Sequence, residues 1–292
     1  MLKRALYTMR SLFRSSNTGI IVFFVLNFLM LVSVFGSGGA ESLMSILVLY
    51  AISLLLAFLP IGTRMLCLIN GARPMTRLDM RRKILPIVSE VYQKAKEHTP
   101  EMPDRIHVRI MYDPNPNAFA IGIDTICVTE GLLDLPEHQI AGILAHEMGH
   151  LALQHTLVQL LIGGGNLLMS AIMITLEVLR VLLQGTSAAV AVSSRRAGGC
   201  LLAFIGLLSA GFIFLWTKLC MLLMMGSSRA NEYAADRYAY ELGYGEELAE
   251  SLDHLTMGTP QASMLKLLCS THPEPGDRIG RLQSMGLSYS RY

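Results

Sequence analysis

The 292-residue chain is poor in charge: Asp, Glu, Lys and Arg together make up 16% of it, against roughly a quarter in soluble domains. That shortage excludes an ordinary water-solvated globule. A formal net charge of only +2, with no basic cluster interleaved with aromatics, gives no footing for nucleic-acid binding. Cysteine is scarce and unpatterned. Cys67, Cys127, Cys200, Cys220 and Cys269 are odd in number and form no C-x-x-C pair, so spacing supports neither a disulfide framework nor a thiolate metal knuckle. Reduced, unpaired thiols are the expectation. Internal repeats and low-complexity tracts are missing as well.

What is present in excess is apolar. Hydrophobic residues reach 52% and mean hydropathy is +0.45, concentrated in four runs at Gly19–Phe35, Leu43–Leu59, Leu157–Leu176 and Leu201–Met225. Each is close to the ~20 residues a helix needs to cross a ~30 Å hydrocarbon core, and four such lengths exceed what a soluble domain of this size would bury. The first could be a signal peptide with Lys3, Arg4, Arg10 and Arg14 as its basic flank; a second run close behind favours an uncleaved anchor. Four basic residues precede the first run, the loop Gly36–Ser42 has none, and Arg64, Arg73, Arg77, Arg81, Arg82 and Lys83 follow the second. By the positive-inside rule the N-terminus, the segment 61–156 and the C-terminal segment lie in the cytoplasm. Arg195 and Arg196, after the third run, are a mild violation.

The polar segments carry the remaining pattern. Ile84, Ile87, Val88, Val91 and Ala95 have helical spacing within 73–98, and His107–Tyr112 alternates like a strand. Asp113-Pro114-Asn115-Pro116 is a turn, and Ala118–Ile121 and Thr125–Thr129 read as short strands around Gly122-Ile123-Asp124. A helix opens at Pro136-Glu137 and runs to about His155; 230–242, 246–256 and 277–285 are also helical. The expected fold is mostly α with a small β-sheet (α+β): an integral membrane protein with four transmembrane helices and a cytoplasmic domain in two parts. Residues 1–66 hold two spans, 67–156 the first part of the cytoplasmic domain, 157–226 a helical hairpin and 227–292 the second part.

His146-Glu147-Met148-Gly149-His150 lies on the helix opened by Pro136. Residues four apart differ by about 40° around a helix axis, so His146 and His150 can present two imidazoles to one metal. Glu147 stands beside them as a base for a water attacking a peptide carbonyl. Surface histidines on an amphipathic helix are the bland alternative. A catalytic zinc needs a third protein ligand and an open fourth position. The extended H-E-x-x-H-x-x-G-x-x-H pattern does not supply it, because Leu153 and Thr156 occupy its Gly and His positions. Glu232 is the better candidate, with Asp236 one turn on to accept the other ring N–H of a ligand histidine. Alone, E-x-x-x-D is a weak signal; beside H-E-x-x-H it is a strong one.

The set resembles the HtpX membrane proteases, relatives of the CAAX prenyl endopeptidases and of gluzincins. The resemblance covers nearly the whole chain: two N-terminal spans, Asn117-Ala118-Phe119-Ala120, Val128–Leu133, the H-E-x-x-H helix, a two-span hairpin, the Glu232/Asp236 helix, and Thr271-His272-Pro273 followed by Arg278-Ile279. It implies that the cytoplasmic domain is a zincin-like catalytic domain with one Zn2+ per chain on His146, His150 and Glu232, Glu147 as base and Asp236 behind the ligands. It also implies that Asn117, Ala118, Phe119 and Ala120 line the cleft and pair with extended substrate, and that His272 stabilises the oxyanion. Read without the family, Asn117 is a turn residue and His272 a loop histidine. Arg278 is considered as a partner on the Asp236 side. His155 departs from the pattern, standing where family members often carry an acidic residue. The implied role is quality control of membrane proteins in the bacterial inner membrane, with membrane-protein substrates and the bilayer as partners. A dedicated processing protease of the CAAX type, a non-catalytic zinc-binding scaffold and an intramembrane protease are the competing readings.

Overall fold

The computed structural model describes residues 18–36, 39–57, 60–165, 169, 171–179, 181–182, 198–256 and 273–290. Within them lie helices α1 (Thr18–Phe35), α2 (Ala40–Ala57), α3 (Pro60–Ile69), α4 (Leu78–His98), α5 (Glu137–Ala152), α6 (His155–Gly165), α7 (Gly198–Glu241), α8 (Gly245–Thr256) and α9 (Pro275–Ser284). The strands are β1 (Arg73–Pro74), β2 (His107–Met111), β3 (Ala118–Ile121) and β4 (Thr125–Thr129). The described residues are mostly helical with one small mixed sheet, as the patterning predicts. The chain separates into two compact units, one of residues 19–55 and 162–224, the other of 56–161 with 225–292.

In the first unit the helices are apolar on their outer surfaces: Leu29, Leu55 and Leu215 are 56%, 63% and 68% exposed. Among the described residues one helix, Thr18–Phe35, is long and apolar enough to cross a membrane, with a mean hydropathy of 2.5. Ala40–Leu55 and Gly206–Cys220 are shorter apolar stretches. The third expected span lies partly outside the described residues.

The second unit is built around the sheet, in the order β1-β2-β4-β3. Strands β2 and β4 are parallel, while β1 pairs antiparallel with β2 and β3 antiparallel with β4. The parallel pair is not visible in the periodicity, since β3 intervenes in sequence but sits outside β4 in space. All five residues of β4 are buried, because both sheet faces are covered. Ile126 and Val128 face a core with Ile84, Val91, Ile140, Leu144 and Met148; Cys127 faces Cys67 of α3 and Ile121. The hairpin between β3 and β4 turns at Gly122, whose φ is +63° and whose missing Cβ leaves room for Thr63 of α3. Only glycine meets both demands at low cost.

Two expected boundaries are corrected. The helix expected from Arg73 starts at Leu78, because Arg73-Pro74 forms the edge strand β1; a residue before proline is driven to extended backbone, and an edge strand tolerates proline's missing N–H. The helix expected to run to His155 ends at Ala152, and a new one begins at His155.

Candidate metal centre and active site

Two helices supply the side chains that could ligate a metal, and the sheet edge and α9 supply their supports. Helix α5 presents His146, Glu147 and His150, α7 presents Glu232 and Asp236, and α9 presents Arg278. Glycine at position 149 lets α7 approach this face of α5: a Cβ there would lie 3.1 Å from the backbone of Ala235. The residues of the site are inside the protein, with His146, Glu147, Glu232, Asp236 and Arg278 all buried.

The ligand atoms converge. His146 Nε2 and His150 Nε2 are 3.2 Å apart, and the two rings stand nearly perpendicular at 89°. Glu232 Oε2 lies 3.6 Å from His146 Nε2, and Glu232 Oε1 lies 3.4 Å from His150 Nε2. One ligand atom from each of the three residues lies within 4.8 Å of the others. A tetrahedral zinc with bonds of about 2.0–2.1 Å places its ligand atoms about 3.3–3.4 Å apart, a separation of the same order. Charge fits as well: three buried carboxylates (Glu147, Glu232, Asp236) face one buried guanidinium (Arg278). Such a set of buried acidic groups beside two imidazoles suits a cation.

The surroundings set the tautomers. His146 Nδ1 lies 2.9 Å from Asp236 Oδ1. Burial works to raise the Asp236 pKa, but hydrogen bonds from Arg278 and His146 outweigh it and hold the carboxyl below its ordinary value. An ionised carboxylate can only accept, so His146 Nδ1 carries a proton and Nε2 faces the metal position. Arg278 grips Asp236 with a two-pronged fork, Nε to Oδ2 at 2.8 Å and Nη2 to Oδ1 at 2.5 Å, and burial, which lowers the guanidinium pKa, is overcome by that pairing. For His146 itself, burial and the Arg278 charge favour the neutral ring, yet the bonds to Asp236 and Glu232 prevail and raise its pKa to about 9. A proton on His146 Nε2 can then bridge to His150 Nε2, occupying the position a metal would take.

Glu147 is tied to the sheet. Its Oε2 accepts the backbone N–H of Ala120 at 2.7 Å. Ala120 belongs to β3, the edge strand, and its partner β4 determines which groups are free. Asn117 O accepts from Thr129 N at the start of the ladder, so by antiparallel alternation Phe119 and Ile121 direct their backbone groups to β4, while Ala118 and Ala120 direct theirs outward. The outward Ala120 N–H is the one Glu147 takes.

The sequence-predicted residues His146, Glu147, His150, Glu232 and Asp236 are thus brought together, as are the backbones of Ala118 and Ala120 on the open side of β3. Phe119 turns to the opposite sheet face, against the Cys67 and Cys127 cluster, and Asn117 is exposed where the strand begins, its backbone held by Thr129 Oγ1 at 2.7 Å. His272 lies outside the described residues. Sequence reasoning missed two contacts. One is the Ala120 N–H to Glu147, a backbone donor that no side-chain motif reveals. The other is His155, whose Nδ1 is 3.0 Å from His150 Nδ1.

With this geometry in view, the comparisons with known proteins are decisive for the family. The family model described as Peptidase family M48 matches residues 80–286. A protease HtpX homolog of Tropheryma whipplei (strain Twist) is 32% identical over 248 residues, covering 76% of this chain and 79% of that protein. The chain belongs to peptidase family M48, with the HtpX proteases. A protease HtpX homolog of Dictyoglomus thermophilum is 31% identical over 202 residues, 61% of this chain and 63% of the relative. Among solved structures, the crystal structure of S. mikatae Ste24p shares the fold at a TM-score of 0.52 and 17% identity, covering 97% of this chain and 67% of that one. Membership in M48 makes the chain a peptidase, and His146, His150 and Glu232 form its candidate metal-binding group.

Proposed function

We propose that this M48 peptidase is a zinc-dependent endopeptidase of the bacterial inner membrane that cleaves membrane proteins, damaged or misfolded ones among them, on the cytoplasmic side. The observation that carries the reading is the convergence of His146, His150 and Glu232 ligand atoms, with the Glu147 carboxylate beside them held by the edge strand β3. His146, His150 and Glu232 would hold the metal. Zinc bound there supplies Lewis acidity, polarising a peptide carbonyl and making water nucleophilic near neutral pH. Glu147 takes the proton of the attacking water and delivers it to the leaving amine, and the Ala120 N–H aims its carboxylate. An extended peptide adds to the outer edge of β3 through the Ala118 N–H and C=O and the Ala120 C=O, as edge strands allow. His272 is assigned the oxyanion. Asp236 and Arg278 orient His146 from behind.

Four apolar runs and the outward-facing apolar side chains of residues 19–55 and 204–222 support the membrane setting, since a surface of that kind needs lipid as its solvent. The arginine pattern supports a cytoplasmic site.

The test is Glu147→Gln. The amide retains an acceptor for the Ala120 N–H but not a base, so zinc stays bound while peptide cleavage falls by about 10²–10⁴-fold; cleavage at the wild-type rate ends the reading. For orientation, a phosphatase reporter fused after Tyr292 is expected to be silent, and activity from the periplasm would invert the topology.

A further inference from the structure

Among the described residues Gln154 is the only non-glycine with a positive φ, 61°, a region that L side chains disfavour. It is buried, and its side-chain Oε1 has no hydrogen-bond partner. Two unfavourable features fall on one residue, so the compensation lies elsewhere. It is found in the next residue. Were α5 continuous, His155 would stand five residues beyond His150, about 140° around the helix axis and out of reach. The left-handed turn ends α5 and starts α6 at His155, and this reversal carries the buried His155 ring to His150. The ring centroids are then 5.2 Å apart, with the two Nδ1 atoms at 3.0 Å.

We infer that His155 is a positioning residue of the metal site: its Nδ1 lone pair accepts the His150 Nδ1–H, and the Gln154 turn is the device that places it. The inference rests on the zinc reading above. A His150 that binds metal through Nε2 as a neutral imidazole must carry its proton on Nδ1. Two ring nitrogens at hydrogen-bonding distance need one donor and one acceptor, so His155 takes the Nε2–H tautomer. The two ligand histidines are thus backed by different groups, His146 by the Asp236 carboxylate and His150 by the His155 ring.

Full-length protein in detergent micelles tests this by zinc affinity, measured by chelator competition, and by the visible absorption of the Co2+-substituted form. His155→Leu removes the acceptor at similar bulk. His155→Asn retains one, because the Asn side-chain oxygen sits on Cγ as Nδ1 does in histidine. The expected result is a zinc Kd raised about 10–100-fold in the Leu variant, with an altered Co2+ spectrum, and a Kd within about threefold of wild type in the Asn variant. A Leu variant that binds zinc as wild type does, or an Asn variant that loses as much as Leu, overturns the inference. If the Leu variant yields no folded protein, the Asn variant decides alone: near-wild-type affinity supports the acceptor role, and a tenfold or greater loss overturns it. Wild-type protein that takes up no zinc overturns the zinc reading itself, and this is seen before any variant is compared.

Discussion

Replacing Arg278 by Met removes a buried guanidinium of similar length and leaves Asp236, 2% exposed, with His146 as its remaining close cationic or N–H partner in the site. Breaking a buried ion pair from one side costs about 3–5 kcal/mol, because the other charge stays desolvated. Part of that loss must reach the metal, since Asp236 orients the His146 ring; removing such a support lowers metal affinity about 10–100-fold, or about 1.4–2.7 kcal/mol. The pH dependence follows from the same contact. Burial alone pushes the Asp236 pKa up, and Arg278 and His146 hold it down. A depressed carboxylate pKa contributes stability that is present above the unfolded value of about 3.9 and is lost as pH falls through the folded value. Without Arg278 the folded value rises, and acid-induced zinc loss moves to higher pH. Arg278→Lys keeps the charge but not the fork, so it should fall between wild type and Met. Zinc retention measured by chelator competition from pH 8 down to pH 4 compares the three. A Met variant that binds within twofold of wild type, with a superimposable acid profile, would refute the argument that Asp236 works through Arg278.

Two further outcomes are expected. Because His146 has its pKa raised to about 9 by Asp236 and Glu232 against burial, metal-stripped protein at pH 7.5 should release close to one proton per zinc bound. Calorimetry in buffers of different ionisation enthalpy reads this directly, and zinc uptake without proton release contradicts it. In that stripped protein the His146 contribution to stability is fully present below pH ~6.5 and is lost as pH rises through about 9. Ala118→Pro deletes an N–H that faces away from β4, so the ladder and zinc binding should persist while KM for an extended peptide rises several-fold; an unchanged KM would remove β3 from substrate binding.

Much of this protein is legible in order of residues alone. The H-E-x-x-H spacing needs only the 3.6-residue turn to bring His146, Glu147 and His150 onto one side of a helix, and E-x-x-x-D needs no more for Glu232 and Asp236. The strands at 107–111, 118–121 and 125–129 show in short-range alternation, and the apolar runs show in composition. All of these are local properties, carried within a few residues of each other. Contacts across large separations are not written in that way. Pairing β2 with β4 in parallel, and so leaving β3 at the edge with its Ala120 N–H on Glu147, depends on where the chain returns after a turn. So does the arrival of Arg278 at Asp236, 42 residues away. His155 is the sharpest case. Helical periodicity turns it away from His150, and only a strained left-handed residue, whose conformation a glutamine does not announce, turns it back.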